Sequence, residues 1–434
     1  MNPTQYIYLF GLIPLVSIKY PPRATVGKKY AVIKLFFILP IFRIKRNLRE
    51  YIVDIRNTIP TPHAQHFHDM ITADVPRHTV LVLDWAPDYH AEVMSSVVWY
   101  FLQLGYNVDV VISEKNAIHE GVKCMDFPKE RVRLFVLEPP HHQDPIFVEN
   151  MLRYEYIFLV SVNSYQKFLY SNNYINLYEQ KYYKGNFFFM IHSTEEEIAM
   201  MPKEGLPYLL QKIVVIFRFP VCGKTLPFIS PCYFGPWPTK HAKNKITRFI
   251  SIGGFRAPDR TRRDVHSMLG DLERLVDEGI TNFQLVVIGR RENGAALNLP
   301  EKLRPFTRFL GTLTYPQMYR EVNDADFLLS GIEIASAAGQ EFAQRRTSGH
   351  FGLSIGFSKP MIIHPVFAAT QGMDKDTAIL HDAFGIYEAL KRCIDMSSEE
   401  YDRYTDNLDK LRAKLQAESI ANMEKMFGKP IASS

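Results

Sequence analysis

The sequence predicts an α/β chain of two doubly wound domains facing each other across a cleft, preceded by an N-terminal extension that is both basic and apolar. Three observations predict it. Continuous apolar runs of strand length alternate with segments of helical period, twice along the chain. A Pro- and Lys-rich stretch, "FGPWPTKHAKNK" (Phe234–Lys245), separates the two series. The excess of positive charge is confined to the segment before Thr61.

The extension comes first. Up to Pro60, ten Lys and Arg residues face only Glu50 and Asp54, while the whole chain carries a formal +5. The remainder is therefore slightly acidic, which argues against a body that grips nucleic acid. Within the basic segment, "LFGLIPLVSIKY" (Leu9–Tyr20) and "LFFILPIFRIKR" (Leu35–Arg46) align without a gap. Each run is shorter than the roughly 20 residues of a spanning helix, carries a central proline and ends in cations. Two apolar plugs with basic rims predict attachment to an anionic membrane surface, with residues 1–75 as the attachment segment. Packing of both runs onto the body is the competing reading. His63, His66 and His68 read as a solvated turn in a linker.

The first series then begins. "TVLVLD" (Thr79–Asp84) predicts a buried parallel strand, and Met94, Val97, Val98 and Phe101 recur at helical spacing until Gly105 ends the helix. "NVDVVI" (Asn107–Ile112) completes a βαβ unit. "RVRLFVL", "YIFLVSV", "NFFFMI" and "KIVVIF" predict further strands, giving a domain over 76–240. The second series repeats the plan over 246–385. "TRFISI" ends in Gly253 and Gly254; Met268, Leu269, Leu272 and Leu275 mark an amphipathic helix; "FQLVVI" ends in Gly289. "FTRFLG", the short helix "YPQMYREV", the strand "DFLLS" and "TSGHFGLSIGFSKPMII" follow. Strand alternating with helix in both halves implies two Rossmann-like domains. Residues 386–434 read as C-terminal helices that could strap back across the first domain.

Four cysteines without a CxxC pair fit neither a disulfide scaffold nor a zinc site. No secretory signal is read at the N-terminus. There is no GxGxxG and no GxxxxGK[ST], so neither a standard dinucleotide site nor a P-loop kinase is indicated.

The chemistry gathers at strand ends in the second half, where open α/β sheets place their ligands. Gly253, Gly254 and Arg256 follow one strand, Gly289, Arg290 and Arg291 another, and Thr347, Ser348, Gly349 and His350 open a helix. Glycines admit close backbone approach, helix N-termini favour anions, and arginine forks match phosphate oxygens. Together these residues describe a diphosphate cradle. Taken singly, each is equally well a tight turn, a solvated loop or a plain helix cap.

"NFQLVVIG", "FLGTLTYPQMYREVNDADFLLS" and "TSGHFGLSIGFSKPMII" resemble the donor half of GT-B-fold glycosyltransferases, most nearly bacterial enzymes of surface polysaccharide or lipopolysaccharide biosynthesis. The repeated N-terminal signature resembles the same group. The resemblance implies transfer of a sugar from a UDP- or GDP-linked donor to a membrane-associated glycan or lipid-linked acceptor. It implies no bound metal and no further cofactor, and a peripheral position on the cytoplasmic face of the inner membrane. Base and ribose would lie near Gly289–Arg291 and the loop bearing Glu333, and the diphosphate near Gly254, Arg256 and Thr347–Gly349. "FMIHSTEEE" makes His192 a candidate at the reaction centre, with Glu195 on the acceptor side. "DWAPDYHAE" contributes Asp88 and His90 as catalytic candidates and Glu92 as an acceptor contact. Glu333 and Glu341 have the Glu-x7-Glu spacing of many retaining members, but lie too far upstream of Lys359–Pro360 for the match to fix the stereochemical outcome. A sugar-nucleotide epimerase, a glycan phosphorylase and a non-catalytic glycan-binding subunit are the alternatives.

Overall fold

The structure is a computed structural model that describes four strands within residues 4–45 and then residues 64–84, 91–137, 147, 150–160, 186–193, 198, 210–237, 242–253, 265–289, 299–382 and 385–430. The first four strands, β1 (Thr4–Leu9), β2 (Ile13–Lys19), β3 (Tyr30–Leu35) and β4 (Leu39–Lys45), pair in that order as an antiparallel sheet. The repeated unit is therefore a hairpin, larger than the apolar run. β1–β2 pairs Thr4 with Lys19 and slips register after Ile7; β3–β4 pairs Tyr30 with Lys45 and slips after Ile33, the equivalent point. Pro14 and Pro40 sit opposite Tyr8 and Lys34, next to those slips. Proline has no N–H for a ladder, and a bulge absorbs the defect. The β2–β3 ladder begins only at Val16, beyond Pro14.

α1 (Ala64–Thr72) follows, and it corrects two readings. His66 and His68 lie on this helix rather than in a turn, and the His66 Nδ1 accepts from the Val136 N–H at 2.9 Å. Phe67, Met70 and Ile71 are buried in the core of the first half. The packed body thus includes part of the segment assigned to the extension.

The first half comprises β5 (Thr79–Asp84), α2 (Ala91–Leu104), β6 (Asn107–Ser113), α3 (Glu114–Ile118), β7 (Val132–Leu137), β8 (Tyr156–Leu159), β9 (Phe187–Ile191) and β10 (Ile213–Val215). Its six parallel strands run β7-β6-β5-β8-β9-β10. β5 is buried throughout, the expected fate of a continuous apolar run covered on both faces. Met94, Val97, Val98 and Phe101 of α2 are fully buried against it.

The second half comprises β11 (Thr247–Ile252), α4 (Val265–Asp277), β12 (Phe283–Ile288), β13 (Thr307–Gly311), α5 (Tyr315–Asp324), β14 (Phe327–Leu329), α6 (Ala337–Gln344), α7 (Gly349–Gly356), β15 (Met361–Ile363), α8 (Pro365–Thr370), β16 (Ile379–Leu380) and α9 (Tyr387–Asp395). Its strand order is β13-β12-β11-β14-β15-β16. Numbered within each half, both sheets read 3-2-1-4-5-6, the doubly wound order. Two such units in one chain are the GT-B arrangement.

Two segments join the halves. The first is the connection around Phe234, which is packed rather than loose: its ring lies 5.3 Å from Tyr319 and 5.5 Å from Phe357. The second is α10 (Ser398–Phe427), one continuous 30-residue helix. Near its start the Tyr401 hydroxyl donates to the Asp326 carbonyl at 3.2 Å in the second half. Near its end Phe427 packs on Phe101, Tyr156 and Phe188 of the first half, and its carbonyl accepts from the Tyr106 and Tyr156 hydroxyls. No helix among the described residues is long and apolar enough to cross a membrane.

Candidate active site

In a doubly wound sheet the crevice opens where strand order reverses, between β5 and β8 in one half and between β11 and β14 in the other. At the carboxyl end of β5, Asp84 is buried and accepts from Asn116 Nδ2 at 2.9 Å. The loop after it, with Asp88 and His90, lies outside the described residues. Glu92 follows in the first turn of α2, half-buried. At the end of β9, His192 is buried, and its Nε2–H donates to the Val160 carbonyl at 2.7 Å. Glu195 lies outside the described residues.

Across the second sheet, Gly253 and Gly289 end β11 and β12 side by side. Gly253 N–H donates to the Ile288 carbonyl at 2.8 Å, and Gly289 N–H to the Gly311 carbonyl at 2.9 Å. Gly289 has φ +155°, and a Cβ there would stand 1.6 Å from the Gly253 carbonyl oxygen. The backbone of the neighbouring strand end thus approaches Gly289 closely, on the side where a Cβ would stand. Gly254, Arg256, Arg290 and Arg291 lie outside the described residues. Glu333 is exposed on the loop after β14, where its carbonyl accepts from the Ser336 hydroxyl at 2.8 Å. Glu341 on α6 pairs with Arg346 at 3.1 Å.

α7 forms as its sequence implies. Ser348 is the N-cap, its side chain accepting from the His350 N–H, and its Oγ lies 3.2 Å from His350 Nδ1. Thr347 precedes it, half-buried; His350 is buried and Gly349 exposed. What places this helix at the crevice is a stripe of glycines one face apart. A Cβ on Gly352 would meet the Pro231 carbonyl oxygen at 2.4 Å, and one on Gly356 would meet Phe234 at 2.4 Å. Only glycine lets the helix lie this close on the connecting segment. The i, i+3, i+7 spacing of Gly349, Gly352 and Gly356 is legible in the sequence and was not used.

The halves meet at the start of this helix. Ser193, next to His192, forms an antiparallel bridge with Arg346, just ahead of Thr347. Glu92 Oε1 lies 3.2 Å from where a Gly349 Cβ would stand. The Tyr315 hydroxyl donates to Glu92 Oε2 at 2.9 Å, and its backbone N–H donates to the His119 carbonyl at 2.9 Å. Burial, with the Glu92 charge beside it, pushes the Tyr315 hydroxyl well above its ordinary 10, so it stays a donor. The structure thus brings His192, Glu92, Thr347, Ser348, Gly349 and His350 to one region, and leaves Glu333 on an exposed loop.

Sequence reasoning missed Asp84, Asn116 and Tyr315, whose partners come from distant segments. It also missed His364 and His381, which follow β15 and β16 with ring centroids 5.9 Å apart. Burial lowers both histidines from the ordinary 6.5.

No family model matches the chain, and no curated relative matches it. Among solved structures it is similar to a glycosyltransferase from Rickettsia africae ESF-5, at 11% identity and TM-score 0.48, over 83% of this chain and 100% of that one. It is similar to α,α-trehalose 6-phosphate synthase from Burkholderia multivorans, at 10% identity and TM-score 0.45, over 81% and 98%. It is also similar to Arabidopsis thaliana UGT89C1 in complex with UDP-L-rhamnose, at 10% identity and TM-score 0.42, over 82% and 100%. At these values the likenesses carry nothing about chemistry, and the fold assignment rests on the chain's own paired sheets of doubly wound order.

Proposed function

We propose that the chain is a glycosyltransferase that moves a sugar from a nucleotide-sugar donor to a membrane-associated glycan or lipid-linked acceptor. The observation that carries this reading is the meeting of an anion-favouring helix start, Ser348–Gly349–His350, with Glu92 and the His192 strand end of the opposite sheet. Phosphate chemistry needs the first; a hydroxyl nucleophile needs the second. In this reading the N-terminal amides of α7, with Arg256 and Arg290 or Arg291, stabilise the leaving diphosphate, where charge develops in the transition state. His192, Asp88 or His90 accepts or orients the acceptor proton, and Glu92 and Glu195 hold the acceptor. Gly253 and Gly254 lie at the diphosphate, and Gly289 and the Glu333 loop flank the nucleoside of a UDP- or GDP-linked sugar.

The test is His192→Ala. Release of nucleoside diphosphate from the donor should fall by about 100-fold or more, with diphosphate affinity within about twofold of the parent. A variant that turns over at the parent rate makes His192 a packing residue.

The twin hairpins and their cations hold the enzyme peripherally on an anionic surface, the cytoplasmic face of a bacterial inner membrane. The full chain should sediment with anionic vesicles, less with neutral ones, and less as salt shrinks the Debye length to about 8 Å. Equal sedimentation with neutral vesicles would remove the electrostatic part of the proposal.

A further inference from the structure

The paired hairpins sort their residues more sharply than the apolar runs do. In an antiparallel ladder Cα partners share a face, and so do alternate residues along a strand. Lys19 pairs with Thr4 and Val32, and Val32 with Arg43, so these four positions form one row across the sheet. Two residues away on the same face come Tyr6, Ser17 and Lys34 in one direction, and Tyr30 and Lys45 in the other. The rows between belong to the opposite face. They are Gln5, Ile18, Ile33 and Phe42, then Ile7, Val16 and Leu35, and on the other side Ala31 and Ile44. One face thus holds the cations Lys19, Lys34, Arg43 and Lys45 with tyrosine, serine and threonine; the other is apolar except for Gln5. No Asp or Glu occurs in any of these strands.

The stagger between the hairpins preserves this division. Lys19 and Lys45 are equivalent in the repeat, yet Lys19 lies in the row of Val32 and Lys45 in the row of Tyr30, two residues along. An even step keeps the two hairpins' faces aligned. A step of one would set the basic face of one beside the apolar face of the other.

We propose that the basic face of this sheet is a flat platform that lies on the phosphates of an anionic leaflet, held by charge and without entering the hydrocarbon, with the apolar face turned away from the lipid. The inference rests on the reading of the extension as a membrane attachment. Two arguments set the orientation. The sheet is open: in the order β1-β2-β3-β4, each outer strand pairs on one side only among the described residues. Hydrocarbon does not tolerate the unpaired N–H and C=O groups of an open edge. With the apolar face down, moreover, the cations would stand a further sheet thickness from the phosphates. That is about 10 Å, beyond the Debye length of about 8 Å. With the basic face down, all four cations lie where the leaflet's surface potential is strongest, and tyrosine suits the headgroup level.

The experiment is co-sedimentation of the full chain with vesicles of equal parts phosphatidylglycerol and phosphatidylcholine, against phosphatidylcholine alone. The double variant Lys34→Gln with Arg43→Gln removes two cations from the platform. Lys410→Gln with Lys414→Gln removes the same charge from exposed positions on α10. Each cation near an anionic surface strengthens binding about fivefold, so the platform variant should bind about 30-fold more weakly and the α10 variant within about twofold of the parent. In about 1 M salt, where the Debye length is about 3 Å, the parent should fall to its level on phosphatidylcholine alone. The salt arm needs no variant, so it decides even where a substitution unfolds the sheet. A parent that stays on the anionic vesicles in that salt is inserted, and a platform variant that binds like the α10 variant is held elsewhere. Either result overturns the platform and leaves the membrane attachment standing. A parent that ignores anionic vesicles at low salt removes the attachment and the platform with it.

Discussion

Gly289→Ala should destabilise the second half severely, and the structure says by how much. The residue has φ +155°, a conformation L side chains rarely adopt. The added Cβ would stand 1.6 Å from the Gly253 carbonyl oxygen and 2.5 Å from its carbon. Both are backbone atoms, and Gly253 is itself tied to the Ile288 carbonyl at 2.8 Å. Neither can step aside without breaking the β11–β12 ladder. Backbone strain of about 1–3 kcal/mol and overpacking of about 1–3 kcal/mol add to about 2–6 kcal/mol. For a domain of this size, that lowers the melting temperature by roughly 5–20 °C. The matched control is Gly270→Ala. Gly270 lies inside α4, exposed, with no atom within 4 Å of an added Cβ, so alanine should raise stability by about 0.5–1 kcal/mol. Differential scanning fluorimetry of both variants reads the contrast. If Gly289→Ala melts within a degree of Gly270→Ala, the close approach of the two strand ends is wrong.

Phe427→Ala should cost about 3–5 kcal/mol in urea unfolding, because the ring is buried among Phe101, Tyr156 and Phe188. A loss below about 1 kcal/mol would mean that α10 does not anchor in the first half. The pH dependence follows from His364 and His381. Burial is the leading cause that lowers both; Asp382 opposes it at each, and Asp271 opposes it at His381. The unfolded chain then binds protons that the folded one refuses. Stability is full above the ordinary 6.5 and declines as pH falls toward the depressed folded values. His381→Asn should flatten the melting-temperature profile below pH 6.5, and an unchanged profile would remove this residue from the account.

The fold was legible where one local signal decides it. "TVLVLD" is a fully buried strand because its central Val80–Leu83 run has no polar face to turn to solvent, and the helical spacing of α2 survives intact. Ser348 caps α7 as its residue type requires. Legibility failed where partners are distant. The proline-centred runs read as plugs, but pairing with the strands before them makes each the second arm of a hairpin. His66 read as solvated because nothing nearby announces the Val136 amide it accepts from. The glycine at 289 was read as a close approach, and one is present: a Cβ there would run into the Gly253 carbonyl, a partner that sequence alone does not name. Tyr315 carried no signal at all, since an aromatic at a helix start is most often packing, and its role exists only once Glu92 arrives from the other half.

The central claim is that the start of α7 holds a diphosphate. The most direct measurement is ligand-induced thermal stabilisation of the full chain and of Ser348→Ala, with UDP and GDP set against uridine and guanosine. A ligand at about a hundredfold over its Kd adds about 2.7 kcal/mol, enough to resolve. One diphosphate should raise the melting temperature well beyond its nucleoside, and Ser348→Ala should shrink that difference while leaving the nucleoside shift in place. Equal shifts for diphosphate and nucleoside, or a Ser348→Ala variant that keeps the full difference, would put the phosphates elsewhere and contradict the account.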